Sequence, residues 1–282
     1  MIKLNWKGSR GGVSAFLLVL ALLATGALVA QEAAPPAAAT TESTESQREA
    51  RALLKSMAEY LAGMEYFRCT STNGYETVQA NGQKVEFGET REIFLARPNR
   101  LRVEEVSSDG VSDLTLFDGR QITAVSAGFN VYAQAPQPPS LEDALVYFVR
   151  DLRMRAPLAL LLSTHVRTDL LELAKNVDYV ERTKVGRKDA HHIAAQSESV
   201  DFEFWIADGS KPLPLRVVIT YKSAPGQPKF WSDISNWQTN RKLSDKRFQL
   251  ELPEGAREIP FAVQLSALGA TPPGARTGEV TP

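Results

Sequence analysis

Two alternating segments joined by a tight turn constrain the fold of this chain more than any other feature. In residues 200–207, Val, Phe, Phe and Ile alternate with Asp, Glu, Trp and Ala, and residues 213–221 carry an apolar side chain at every second position. Asp208 and Gly209 lie between the two segments. Side chains along a strand point alternately to opposite faces, and Asp-Gly favours a two-residue turn. The pattern therefore predicts an antiparallel hairpin with one buried and one solvated face.

The same kind of signal recurs on both sides of this hairpin. Earlier in the chain, three turn dipeptides separate extended stretches between residues 66 and 133, namely Asn81-Gly82, Asp109-Gly110 and Asp118-Gly119. Later strands are predicted over residues 177–185, 191–197, 230–240 and 248–252. We therefore expect many short antiparallel strands that follow one another as a meander.

Helical patterns precede the first group of strands and separate it from the second. Ser46 and Glu49 fit a capping box at the start of an apolar helical stripe. Ser140 caps a second helix, Pro157 breaks it, and residues 158–162 form an unusually apolar segment after the break. The order helix, sheet, helices, sheet predicts an α+β fold in which one large antiparallel sheet carries helices on one face.

The N-terminus has the pattern of an export signal. Lys3, Lys7 and Arg10 precede residues 13–30, which contain no charged side chain and end in small residues. This order is typical of a secretory signal, and we expect cleavage near Ala30. The alternative is a retained membrane anchor, because 18 apolar residues are at the lower limit for spanning a bilayer. The sole cysteine is Cys69, so no lipid-attachment cysteine follows the apolar run, and no permanent membrane anchor is expected after cleavage.

Composition divides the rest of the chain into a domain and two tails. Residues 31–45 are rich in Ala, Pro, Thr, Ser and Glu, and residues 264–282 are dominated by small residues, Pro and Gly. Such segments bury too little apolar surface to become ordered. We therefore predict a signal peptide over residues 1–30, a disordered linker over 31–45, a single domain over 46–263 and a disordered tail over 264–282.

The residues that usually carry chemistry are few and scattered. The chain has a formal net charge of −1 and no basic stretch, which argues against nucleic acid as a partner. Of its three histidines, His191 and His192 would point to opposite faces of a strand, so neither metal site nor cofactor is expected. Asp201 and Glu203 are the nearest to a pair of catalytic acids, and a solvated sheet face explains them better. No catalytic residue is assigned, and no enzymatic activity is expected.

Aromatic side chains carry more information about a binding site. They concentrate in the second half of the chain, where they form either an ordinary core or the lining of an apolar concavity on a curved sheet. In the second case, residues 158–162 would act as a lid. The candidate ligand-binding residues are Leu158, Leu161, Phe202, Phe204, Ile206, Leu215, Val217 and Ile219.

Several motifs connect the domain with a known family. They are Arg-Pro-Asn-Arg-Leu-Arg-Val at residues 97–103, Phe-Asp-Gly at 117–119, the stretch from Asp201 to Lys222, and Leu-Pro-Glu-Gly-Ala at 252–256. With these motifs the chain resembles an uncharacterised family of predicted periplasmic proteins, from the first helix to about Phe261. That family is similar in turn to the LolA/LolB outer-membrane lipoprotein carriers and to mycobacterial lipid-binding lipoproteins. The resemblance implies a half-open antiparallel β-barrel, with helices packed on its concave face that close an apolar cavity for acyl chains.

The resemblance favours a periplasmic carrier of an apolar ligand, such as a lipid or a lipoprotein acyl chain. The alternative is an envelope interaction or sensor module that binds a protein partner and no lipid. An enzyme would require histidines and carboxylates to meet in a cleft. Members of the family often have a cysteine where this chain has Ala190. If Cys69 normally pairs with that position, the disulfide is missing here.

Overall fold

The structure is a computed structural model that describes residues 37–261, with side chains from residue 45 onward. The predicted signal peptide, its cleavage near Ala30 and the predicted C-terminal tail lie outside the described residues. The helices are α1 (Ala37–Ala62), α2 (Leu141–Val146), α3 (Ala159–Leu162) and α4 (Val166–Leu173). A π-helical turn over Tyr147–Asp151 continues α2. None of the helices in the described range is long and apolar enough to cross a membrane.

The described residues also contain twelve strands. They are β1 (Tyr66–Val78), β2 (Lys84–Ala96), β3 (Arg100–Ser107), β4 (Ser112–Phe117), β5 (Gln121–Ser126), β6 (Val131–Pro136), β7 (Asn176–Val185), β8 (Lys188–Gln196), β9 (Val200–Ala207), β10 (Pro214–Tyr221), β11 (Lys229–Thr239) and β12 (Arg257–Glu258). All twelve belong to one sheet, in the order β12-β6-β5-β4-β3-β2-β1-β11-β10-β9-β8-β7.

The sheet is curved and unclosed, which confirms the predicted α+β half-barrel. Its two edges, β12 and β7, do not pair with each other. Neighbouring strands are antiparallel except for β12, which pairs with β6 in parallel. The meander from β1 to β6 and the group from β7 to β11 are joined where β1 pairs with β11. Each half of the sheet therefore contributes strands to one continuous concave face.

Tight turns produce the predicted hairpins. Gly82, Gly110, Gly119 and Gly209 all have positive φ angles, between 84° and 102°. A residue with a Cβ atom is disfavoured in this region, so glycine permits the chain to reverse between adjacent strands. The four hairpins predicted from Asn-Gly and Asp-Gly dipeptides are therefore confirmed.

Helix α1 fills the concave face. Leu54, Met57 and Leu61 are completely buried, at 0–1% exposure, in a core that also contains Phe67 of β1 and Ile193 of β8. Because these side chains recur at helical spacing, a single stripe of α1 contacts strands from both halves of the sheet. Burial of this stripe holds the curved sheet around the helix.

The start of α1 differs from the prediction. The helix begins at Ala37, so residues 37–45, which were predicted to be linker, are helical and the capping box does not mark its start. Residues 37–39 are alanine, the residue with the highest helix propensity, and they extend the helix beyond its apolar stripe. Ser46 Oγ instead donates to the Tyr179 carbonyl oxygen at 3.4 Å and accepts from the Tyr179 amide at 3.3 Å.

The prediction of a last strand over residues 248–252 is also wrong. A short 3-10 helix occupies Asp245–Phe248, and the final strand is β12. Both edges of β11 are already paired, so the chain that follows it leaves the sheet and crosses its convex face. There Phe248 packs against Phe94 and Leu116.

The lone cysteine is buried in the core. Cys69 is 2% exposed, and burial, with a further contribution from the Glu92 carboxylate, raises the pKa of its thiol. Ala190 lies on β8, four strands away from β1, which is roughly 19 Å along the sheet at about 4.8 Å per strand. A disulfide needs Cα atoms within about 7 Å of each other, so the geometry excludes the hypothetical bridge between these two positions.

Candidate functional site

An apolar cavity of about 260 Å³ lies between the concave face of β9 and β10 and the segment that connects α2 with α4. Its lining is almost entirely aliphatic and aromatic. The lining residues are Pro157, Leu158, Leu160, Leu161, Leu170, Leu173, Val200, Phe202, Phe204, Val217, Ile219 and Tyr221. We refer to this space as the apolar cavity.

Six of the eight candidate residues line this cavity, namely Leu158, Leu161, Phe202, Phe204, Val217 and Ile219. The other two do not. Ile206 is 0% exposed and lies in the filled core, two residues further along β9 than Phe204. Leu215 is 3% exposed and lies where the register between β9 and β10 shifts. The inward-facing residues of both strands follow the predicted alternation, but the apolar cavity borders only some of them.

Residues 158–162, which we call the lid segment, cover the apolar cavity and include α3. The connection that follows is tied to α2, because Glu142 Oε1 accepts hydrogen bonds from the Thr164 amide at 2.9 Å and from Thr164 Oγ1 at 2.6 Å. Arg97 lies 3.7 Å from the same carboxylate. Burial opposes ionisation of Glu142, but the Thr164 hydrogen bonds and the charge of Arg97 outweigh it and lower its pKa.

Leu158 lies between the apolar cavity and a second cavity on the concave face. The second cavity is narrow, has a volume of about 70 Å³ and lies between α2 and strands β3 and β4. Arg91, Glu105 and Arg155 line this narrow cavity and also a larger one. The narrow cavity therefore borders the apolar cavity at Leu158 and the charged cavity at Arg155.

The larger space, which we call the charged cavity, has a volume of about 440 Å³ and lies over strands β1 to β6. Its charged lining residues are Glu89, Arg91, Glu105, Asp113 and Arg155. Sequence reasoning missed this site. The available signal was that the apolar alternation stops on both strands. The inward-facing Ile93 is preceded two residues earlier by Arg91, and the inward-facing Val103 is followed two residues later by Glu105.

One arginine holds two of the carboxylates in the charged cavity. Arg91 Nη2 lies 2.7 Å from Glu89 Oε1, and Arg91 Nε donates to Glu105 Oε2 at 2.8 Å. The pKa of Glu89 is raised, mainly by burial and further by the charge of Glu105. The charge of Arg91 offsets this rise only in part. Asp113 is directly opposite Glu105 on the neighbouring strand. The cavity is therefore lined by three carboxylates, and the guanidinium of Arg91 is already paired with two of them.

Sequence comparison assigns the chain to a family. Residues 50–262 match the model of a family described as predicted periplasmic protein (DUF2092). The chain belongs to this family. The resemblance predicted from the motifs is confirmed, and the family description agrees with the predicted export to the periplasm. No curated protein matches the sequence significantly.

Several solved structures are similar to this family member at low sequence identity. The lipoprotein LppX from Mycobacterium tuberculosis is 14% identical with a TM-score of 0.45, over 71% of this chain and 99% of LppX. LprF from Mycobacterium bovis is 10% identical with a TM-score of 0.47, over 73% of this chain and 98% of LprF. A LolA superfamily protein from Nitrosomonas europaea is 10% identical with a TM-score of 0.34, over 71% and 97% of the two chains.

The adjacent histidines lie on opposite faces of β8, as predicted. His191 Nδ1 is 3.2 Å from Tyr179 Oη, and its Nε2 is 3.3 Å from an Asp208 oxygen. His192 stacks on Trp205 with ring centroids 3.9 Å apart, and its Nε2 is 2.9 Å from a Glu203 oxygen. Within residues 45–261, no group of three His, Cys, Asp or Glu side chains is placed to hold a metal ion.

The two acids considered as a catalytic pair lie on the convex face and have separate partners. Asp201 Oδ1 lies 2.7 Å from Lys222 Nζ, whereas Glu203 contacts His192. Each carboxylate therefore takes part in an ordinary cross-strand ion pair or hydrogen bond, as expected for a solvated sheet face.

Proposed function

We propose that this protein is a non-enzymatic periplasmic carrier that binds an apolar ligand, such as a lipid or an acyl chain, in the apolar cavity. The observation that carries the proposal is the cavity itself, about 260 Å³ of open space lined by leucines, phenylalanines, valines and Ile219. A well-packed core leaves few voids larger than a water molecule. Empty space of this size beneath a thin lid segment is therefore better explained by a ligand than by the needs of the fold.

The chemistry of the lining selects the ligand class. Tyr221 supplies the main polar atom among the lining side chains, so a ligand inside gains little from hydrogen bonds and mainly from leaving water. Each methylene group transferred from water into such a site contributes about 0.8 kcal/mol. Several methylenes together offset the loss of translational freedom on binding, which favours a chain-like hydrocarbon over a small polar molecule.

The lid segment provides a route for the ligand. It is short, it follows Pro157, and its connection to α4 is held to α2 by the Glu142–Thr164 hydrogen bonds. A displacement of α3 opens the cavity without breaking any pairing between strands. An exported protein with such a site and without a permanent membrane anchor would move its ligand between membranes, which is why we propose a carrier.

Binding of a neutral apolar fluorophore, diphenylhexatriene, to the purified, delipidated protein tests the proposal. We expect saturable binding at one site per chain, and displacement of the fluorophore by a monoacylglycerol. A fluorescence signal that does not saturate, or that the monoacylglycerol does not reduce, would contradict a ligand-binding function and favour the protein-interaction alternative.

A further inference from the structure

Asp113 is a carboxylate that the fold does not explain. It faces the charged cavity from β4 and is directly opposite Glu105 of β3. Like charges at directly opposed positions destabilise a sheet. Arg91 cannot relieve the repulsion fully because its guanidinium already engages both Glu89 and Glu105. Asp113 Oδ1 is excluded from solvent and has no hydrogen-bond partner in the described part of the chain.

Arg155 is an exposed cation that also lines the charged cavity and has no carboxylate partner in the described part of the chain. Its guanidinium carbon lies 4.2 Å from the centre of the Tyr75 ring, and no ion pair to Arg155 occurs within residues 45–261. Arg155 lines both the charged cavity and the narrow cavity. Its positive charge also reaches Tyr221 of the apolar cavity, where it partly offsets the rise in the tyrosine pKa that burial causes.

The charges of Asp113 and Arg155 and the apolar cavity together indicate the chemical class of the ligand. We propose that the ligand is a zwitterionic amphiphile whose anionic phosphate contacts Arg155, whose ammonium group contacts Asp113 and Glu105, and whose acyl chain occupies the apolar cavity. This inference rests on the proposed function and specifies the ligand class. The charged cavity, at about 440 Å³, is within the size range of small-ligand sites. An ammonium group there would donate charge-assisted hydrogen bonds to carboxylates that otherwise repel each other.

Three probes with the same acyl chain separate the contributions of the chain, the phosphate and the ammonium group to the binding affinity. They are a monoacylglycerol, which is uncharged, a lysophosphatidylglycerol, which is anionic, and a lysophosphatidylethanolamine, which is zwitterionic. For the full chain we expect affinity to rise in that order, with the zwitterionic probe roughly tenfold tighter than the anionic one. Glycerophosphoethanolamine, which has the headgroup without the chain, should compete only weakly. Strong competition would mean that the ligand is a soluble zwitterion and would overturn the amphiphile assignment.

Two variants assign the headgroup contacts. Asp113→Asn should lower affinity for the zwitterionic probe roughly tenfold and leave the anionic probe unchanged. It should fold, because it removes a like-charge pair, and its melting temperature should equal or exceed that of the unmodified protein. Arg155→Gln should weaken both charged probes and not the monoacylglycerol. Arg153 lies two residues away and is exposed like Arg155, but it lines none of the three cavities, so Arg153→Gln is the matched control and should weaken none of the probes.

The outcomes distinguish this inference from the function on which it rests. Equal affinity for the zwitterionic and anionic probes, or an equal effect of Asp113→Asn on both, would overturn the headgroup assignment. If the monoacylglycerol still binds in that case, the apolar-carrier function stands. If none of the three probes binds the unmodified protein, the carrier function itself is wrong.

Discussion

Replacement of Val217 with Phe should reduce the affinity for diphenylhexatriene at least about tenfold. Val217 is 1% exposed and lines the apolar cavity from β10. A phenyl ring at this position projects into space that the ligand would fill. It therefore displaces several methylene equivalents of ligand, each of which contributes about 0.8 kcal/mol to binding. Fluorescence titration of both proteins gives the two dissociation constants directly.

The neighbouring valine provides the matched control. Val218 is on the opposite face of β10, where it pairs with Trp231 and Glu203, so Val218→Phe adds the same atoms outside the cavity. We expect Val218→Phe to bind the probe with unchanged affinity. Equal losses in the two variants would mean that the probe does not occupy the apolar cavity. Unchanged binding in Val217→Phe would lead to the same conclusion.

Replacement of Leu54 with Ala should lower the free energy of unfolding by roughly 3 kcal/mol, within the usual range of about 2–5 kcal/mol for a buried leucine. Leu54 is completely buried at the interface between α1 and the concave face. Its truncation removes apolar contacts and leaves a cavity that the surrounding strands cannot fill, since they are fixed by their hydrogen bonds on both sides. Urea denaturation followed by tryptophan fluorescence measures this change.

A substitution on the outer face of the same helix tests whether the loss comes from the core. Lys55 is half exposed and its ammonium group is 3.9 Å from the Glu59 carboxylate, a surface pair that contributes little. Lys55→Ala should therefore change the free energy of unfolding by less than about 0.5 kcal/mol. A comparably small change in Leu54→Ala would show that α1 does not hold the sheet together.

The alternating segments were sufficient to predict which residues of β9 and β10 face the concave side, but not where along the strands the apolar cavity ends. Phe202 and Phe204 both line the apolar cavity because residues two apart on a strand share a face. Ile206 follows the same alternation, yet it is packed in the core. Whether an inward side chain meets open space depends on which helix covers that part of the sheet, and this placement is set by contacts between residues far apart in the sequence.

The charged cavity was missed for a related reason. Glu89, Glu105 and Asp113 lie on three neighbouring strands, and each alone has the appearance of a surface carboxylate. Only the register of β2, β3 and β4 shows that they face the concave side together. Register depends on turn geometry and on pairing between strands, whereas a single sequence displays the pattern of each strand separately.

The two errors at the ends of the domain both arise from tertiary contacts. Ser46 and Glu49 have the spacing of a capping box, but Ser46 does not cap the helix. Its hydroxyl group is hydrogen-bonded to the backbone of Tyr179 instead. The apolar residues near Phe248 indicate burial, and burial occurred against the convex face without strand pairing. In each case, the same residue types satisfy two different local structures, and tertiary contacts decide between them.

Native mass spectrometry of protein purified from the periplasm, without detergent and without added lipid, tests the carrier function most directly. We predict that the unmodified protein carries an additional mass that corresponds to one lipid, and that the same preparation of Val217→Phe does not. Lipid extracted from the unmodified protein and analysed by chromatography should be zwitterionic if the headgroup assignment is also correct. An unmodified protein that appears only at the mass of the polypeptide, or equal lipid occupancy in both proteins, would contradict ligand carriage in the apolar cavity.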